Sequence, residues 1–163
     1  MEFAGSIMAL GGDNALVLVT DRRQGKGFNT IDTNFQRVFK MQDNILLGLT
    51  GIDTDVQTFH ALMEWKLNMY KLREGVDMTP KAFAFLIAAT LYEHRFGPYY
   101  VSPVVAGLQD GEPVICGYDS IGCITEDKFI FAGTASDHLM GCAESFWRPG
   151  MNAQQLEDAA ING

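Results

Sequence analysis

Cap and turn signals divide this chain of 163 residues into strands, two helices, more strands and two more helices. Segregated blocks of this kind predict an α+β domain with separate layers, because alternating strands and helices would instead build a parallel sheet. Stacked sheets covered by helix pairs satisfy the order. No internal repeat, low-complexity tract or linker interrupts it, so one domain over residues 1–163 is expected, within the usual ~100–200 residues for a single domain.

The first block opens with apolar segments over 6–10 and 15–20, joined by Gly11-Gly12-Asp13-Asn14, residues that accept a tight hairpin. Ala15 to Val19 is continuously apolar and predicts a strand covered on both faces. A loop over 22–27 leads to predicted strands 36–41 and 45–50 about Asp43-Asn44, so the block reads as an antiparallel meander. Thr54 and Gln57 form a capping box for a helix bearing Val56, Phe59, Met63, Leu67 and Tyr70 at helical spacing, closed at Gly75. Thr79-Pro80 starts a second helix, predicted to reach Phe96 and apolar nearly all round. Its surplus apolar face is read as core, with a subunit interface as the sharper alternative. Predicted strands 103–108, 113–118 and 128–132 follow, then a helix over 136–147 and a last one opened by a second capping box, Asn152 with Gln155.

Composition removes several functions. The net charge of −8, with no basic cluster larger than Arg22-Arg23, argues against nucleic acid and anionic membrane surfaces. The longest apolar run, Ala82 to Leu91, is about half of the ~20 residues that span a bilayer. Three cysteines without a CxxC pair predict no disulfide framework and suit a reducing compartment. The first six residues lack the basic and apolar regions of a secretory leader, so a soluble intracellular protein is expected. His138 and Cys142 share a helix face, yet two ligands make no metal site, and Asp53 with Asp55 suits a helix start better than calcium. No metal or cofactor is expected.

Chemistry is suggested only at the front. A small residue heads the first strand, Asp21 follows the second, Arg37 lies on the third, and Gly51 stands where a strand enters a helix. An N-terminal-nucleophile hydrolase has this layout: the chain's own amine activates a Thr, Ser or Cys, and helix-start N–H groups hold an oxyanion. Gly5-Ser6 looks locally like an autocleavage junction, which makes Ser6 a rival nucleophile. Its register to Asp21 is one residue late, and one residue reverses a strand side chain's face.

Asp21-Arg22-Arg23, Phe35-Gln36-Arg37-Val38-Phe39 and Gly48-Leu49-Thr50-Gly51 resemble proteasome beta subunits. Thr54-Asp55-Val56-Gln57-Thr58, Leu91 to Tyr100, Ile121-Gly122-Cys123, Gly133-Thr134-Ala135-Ser136 and Cys142-Ala143-Glu144-Ser145 resemble the non-catalytic type 3 class of that family. The resemblance implies a four-layer αββα sandwich. It aligns the family's nucleophilic threonine with Gly5 and its catalytic lysine with Arg37, while Asp21 and Gly51 match their counterparts. A glycine cannot attack and an arginine is never a neutral base, so a vestigial centre is implied. The loop Asp119-Ser120-Ile121-Gly122-Cys123 is implied to help line the pocket of a neighbouring trypsin-like subunit, where an acid favours basic substrate side chains. Its plainer reading is a turn aspartate and a small buried cysteine. The implied partners are other alpha and beta subunits in stacked heptameric rings, and unfolded polypeptide substrates only indirectly. The implied setting is ubiquitin-dependent degradation in cytoplasm and nucleus. The family continues past the position of Gly163 with an Asp-Arg-Asp…Ser-Gly stretch and two closing strands, so a domain incomplete at that end is expected, with sheet edges left unpaired.

Overall fold

The computed structural model describes residues 5–162; the reading of the first residues as lacking a leader falls largely outside that span. Strands β1 (Ser6–Gly11) and β2 (Leu16–Thr20) form the first hairpin, and β3 (Gln24–Lys26) pairs with β4 (Asn29–Asp32). Strands β5 (Val38–Gln42) and β6 (Ile45–Gly51) then lead into α1 (Asp53–Glu74) and α2 (Pro80–Glu93). The second block is β7 (Val101–Gln109), β8 (Glu112–Tyr118), β9 (Ile124–Glu126) and β10 (Phe129–Gly133). Helices α3 (Ser136–Phe146) and α4 (Ala153–Asn162) close the described chain.

Two antiparallel sheets result, ordered β10-β1-β2 and β5-β6-β7-β8-β9. The expected single meander is therefore wrong, since β2 and β5 belong to different sheets. The β3–β4 hairpin separates them, in a stretch expected to be loop up to Gly27.

Strand alternation explains the stacking. On β1, Ile7 and Ala9 face the gap between the sheets, where they meet Val104, Ile115, Ile130 and Ala132. Met8 and Leu10 face the opposite way, onto Ala143 of α3 and Leu156, Ala159 and Ala160 of α4. The larger sheet sends Ile45, Leu47, Val101, Val105 and Cys116 outward against Val56, Phe59, Met63, Phe83, Ile87 and Leu91 of α1 and α2. The order helix, sheet, sheet, helix gives the four layers. Fully burying one such large apolar side chain contributes about 1.5–3 kcal/mol, so the three clusters are the main source of stability.

Local signals hold in part. Thr79 caps α2 by accepting from the Ala82 N–H at 3.2 Å. Asn152 and Gln155 make both arms of their capping box, at 2.9 and 3.0 Å. The Thr54 box is a correction: α1 begins at Asp53, and its cap residue Ile52 makes no side-chain cap bond. Tertiary bonds hold that end instead, the Ile52 N–H donating to the Tyr100 carbonyl and the Tyr100 N–H to Asp55 Oδ2. Helix α2 stops at Glu93 rather than Phe96, and its surplus apolar face is not core in this chain, with Phe85 57% and Tyr92 65% exposed. Strand β2 is half-buried because it lies at a sheet edge. Among the described residues no helix is long and apolar enough to cross a membrane.

Candidate functional site

The alternation of β1 decides what the front of the molecule can do. Position 5 continues the face of Ile7 and Ala9, so it looks between the sheets. Ser6 looks the other way: its Oγ accepts from the Ala135 N–H at 3.0 Å and lies 3.3 Å from Thr134 Oγ1.

What stands over Gly5 is a guanidinium. Arg37 precedes β5 and extends its ladder by one rung, its carbonyl accepting from the Leu49 N–H at 2.8 Å. The side chain is 0% exposed and runs under Gly5 so closely that a Cβ there would sit 2.3 Å from Nε and 2.4 Å from Cζ. Gly5 also has a φ of 101°, which side chains rarely adopt. Glycine is thus required twice at this position, by conformation and by space.

Asp21 completes the group. Its Oδ1 accepts from the Ser6 N–H at 2.9 Å and lies 3.4 Å from Arg37 Nε. The carboxylate is 42% exposed, so it only partly offsets a fully buried cation. Arg37 Nη2 donates to the Arg23 carbonyl at 2.8 Å, and the guanidinium lies 4.8 Å from the centre of the Phe35 ring. Nε and Nη1 have no hydrogen-bond acceptor. A buried arginine kept at this cost is held by packing and by one good charged bond.

The structure therefore brings Gly5, Asp21 and Arg37 together. Gly51 lies at the end of β6, where a Cβ would meet the Tyr100 carbonyl at 2.1 Å. The next N–H, that of Ile52, is spent on that same carbonyl at 3.0 Å, so this N–H is not free to hold an oxyanion. Thr20 and Arg22 line the cleft beside Arg37, but the Thr20 hydroxyl donates to the Ser6 and Asp21 carbonyls, both at 2.9 Å, and an arginine cannot serve as a neutral base.

The loop from Asp119 to Cys123 stands elsewhere, on α2. Asp119 Oδ1 accepts from the Ile121 N–H at 3.0 Å and the Cys123 N–H at 2.8 Å, an Asx-type turn. Gly122 packs so tightly on the Ala88 carbonyl that a Cβ would come within 2.4 Å. Asp119 and Cys123 are both exposed, so the expectation of a buried cysteine does not hold. The buried thiol is Cys116, pushed up to about 11 by burial, with the Glu126 charge adding to it. The neighbouring Tyr118 phenol is raised too, chiefly by burial, and donates to the Ala84 carbonyl at 2.8 Å.

Sequence reasoning missed the link between Arg37 and the β3–β4 hairpin, since strands of three and four residues have no period long enough to read.

A two-layer sheet stack covered by helix pairs, with the entry of its first strand facing a cation between the sheets, defines an N-terminal-nucleophile type of fold. The family described as "Proteasome subunit" matches residues 1–162, and the chain belongs to it. It is 46% identical over 159 residues to the probable proteasome subunit beta type-3 of Schizosaccharomyces pombe, covering 96% of this chain and 78% of the relative. The proteasome subunit beta type-3 of Oryza sativa subsp. japonica is 45% identical over 158 residues, covering 95% and 78%. That of Saccharomyces cerevisiae is 41% identical over 155 residues, covering 93% and 75%. The chain is thus a proteasome-family subunit similar to beta type-3 subunits, with Gly5 and Arg37 meeting at the entry of its first strand.

Proposed function

We propose that the chain is a structural subunit of the proteasome core's beta ring. It holds its active neighbours in place and lends one of them part of its substrate pocket. The observation that carries this is Arg37 filling the space into which a side chain at position 5 would point. Gly5, Asp21, Arg37 and Gly51 are then the remains of a catalytic centre whose nucleophile and base have been replaced. The rival hydrolase using Ser6 has its hydroxyl on the far face of β1, bonded to Ala135.

On this reading Asp119 and Cys123 face the adjoining subunit and bias its pocket toward basic side chains by charge complementarity. The partners are other alpha and beta subunits in stacked heptameric rings, acting on unfolded polypeptides in ubiquitin-dependent degradation in cytoplasm and nucleus.

Native mass spectrometry of the tagged chain with its copurifying partners tests the proposal. A stoichiometric multi-subunit complex is the expected result; a free monomer under all conditions would refute it. Within the complex, Asp119→Asn keeps an oxygen to accept the loop's N–H bonds and removes the charge. Cleavage after basic residues is then expected to fall while cleavage after apolar residues does not change. Equal effects on both would remove the loop from the pocket.

A further inference from the structure

The β3–β4 hairpin belongs to neither sheet, pairing only with itself. Lys26 pairs with Asn29, so Gly27 and Phe28 form a two-residue turn, with Gly27 at a φ of 58°. That geometry puts Phe28 at the tip, fully exposed, with Ile31 70% exposed behind it. Lone two-stranded hairpins are marginal in water, and this one is braced at its base. Arg37 Nη2 donates to the Arg23 carbonyl at 2.8 Å, and Gln24 Nε2 bonds to Asp53 Oδ2 at the start of α1. Arg23 itself spans the hairpin, donating to Thr30 Oγ1 at 3.0 Å and to the Gly27 carbonyl at 2.9 Å.

The charge here runs against the rest of the molecule. The chain carries −8, yet residues 22–31 contain Arg22, Arg23 and Lys26, with carboxylates only at the hairpin's base, at Asp21 and Asp32. Among the described residues the ion pairs involve Arg37, Lys40, Lys66, Lys71, Arg73 and Lys81, and none of these three. An exposed aromatic ring beside unneutralised cations has the make-up of an interface anchor: the ring fills a pocket, and the charges select a rim of opposite sign.

We infer that the hairpin Gln24–Asp32 is a docking finger, whose Phe28 enters an apolar pocket rimmed by carboxylates on an adjoining proteasome subunit. Arg37 helps to hold the hairpin's base through its bond to the Arg23 carbonyl. This rests on the structural-subunit reading above and adds a contact distinct from the Asp119–Cys123 loop.

The test places the photo-crosslinker p-benzoylphenylalanine at position 28 and irradiates the isolated multi-subunit complex. The expected product joins position 28 to a mapped peptide of another proteasome subunit bearing Asp or Glu beside apolar residues. In parallel, Phe28→Ser, at a site where no folded-state packing is lost, is expected to leave the far-UV spectrum and Tm unchanged. It should weaken incorporation about tenfold or more, as for a central aromatic anchor. Lys26→Glu should weaken incorporation most at low salt, where rim charges act most strongly. A complex that forms normally with Phe28→Ser, or crosslinks that stay within this chain or join two copies of it, would overturn the inference alone. A wild-type chain that enters no complex would overturn both this inference and the assembly reading, and is told apart because the wild type fails as well.

Discussion

Replacing Gly5 by alanine probes the replaced centre directly, because two separate physical effects meet there. The first is conformational: at a φ of 101° a non-glycine residue carries a strain of about 1–3 kcal/mol. The second is steric, since the new Cβ would lie 2.3 Å from Arg37 Nε, 2.4 Å from Cζ and 2.9 Å from Cδ. The guanidinium cannot swing into water, because it is fully buried and bonded to the Arg23 carbonyl. Overpacking of this kind costs about 1–3 kcal/mol, so Gly5→Ala is expected to destabilise by about 2–5 kcal/mol. In urea, with a mid-range slope of about 2 kcal/mol per molar, the unfolding midpoint should drop by ~1–2.5 M. The two effects separate in a double-mutant cycle with Arg37→Ala. Removing the side chain removes the clash and leaves the strain, so Gly5→Ala should cost less by about 1–3 kcal/mol in that background. A cost within about 0.5 kcal/mol in both backgrounds, or one that is equal in both, would refute the reading that Arg37 occupies the space of a side chain at position 5. The same cycle explains why a threonine at position 5 alone should not become reactive: the variant is expected to show no labelling by covalent N-terminal-nucleophile probes.

Three further outcomes follow from the packing. Cys116 and Tyr118 keep their protons more tightly in the fold than in the unfolded chain. Above pH 9 the unfolded state therefore binds fewer protons, and stability should fall as pH rises through about 11; Cys116→Ala should flatten that fall in urea titrations, and a slope unchanged by it would assign the loss to other groups. At pH 8, a thiol reagent should label exposed Cys123 and Cys142 in the native protein and reach Cys116 only after unfolding. Trp147→Phe removes the indole N–H that donates to the Gly11 carbonyl at 2.8 Å, and a loss of about 1–2 kcal/mol is expected, whereas a neutral effect would mean that water replaces the bond.

The order of strands and helices was legible because each element carries its own signal. Thr79 and the Asn152–Gln155 pair were readable because a cap bond spans three residues and depends on little else. The Thr54 box failed for the converse reason, since the start of α1 is tied down by Tyr100, some 45 residues away. The face reversal between positions 5 and 6 also came from sequence, because a strand's period of two is a local property. Hence the choice between Gly5 and Ser6 was open to inspection before any contact was known.

What sequence alone determined, then, was a layered α+β chain whose first strand offers glycine where a nucleophile would stand, together with its likeness to proteasome subunits. Tertiary structure decided the rest. It divided the first strand block between two sheets, left the apolar surplus of α2 outside the core, and laid Arg37 beneath Gly5 while binding it to a hairpin that stands apart from both sheets. The physical reason is distance along the chain: caps, turns and alternation act over a few residues, whereas the surroundings of Arg37 are assembled from segments that meet only when the sheets stack.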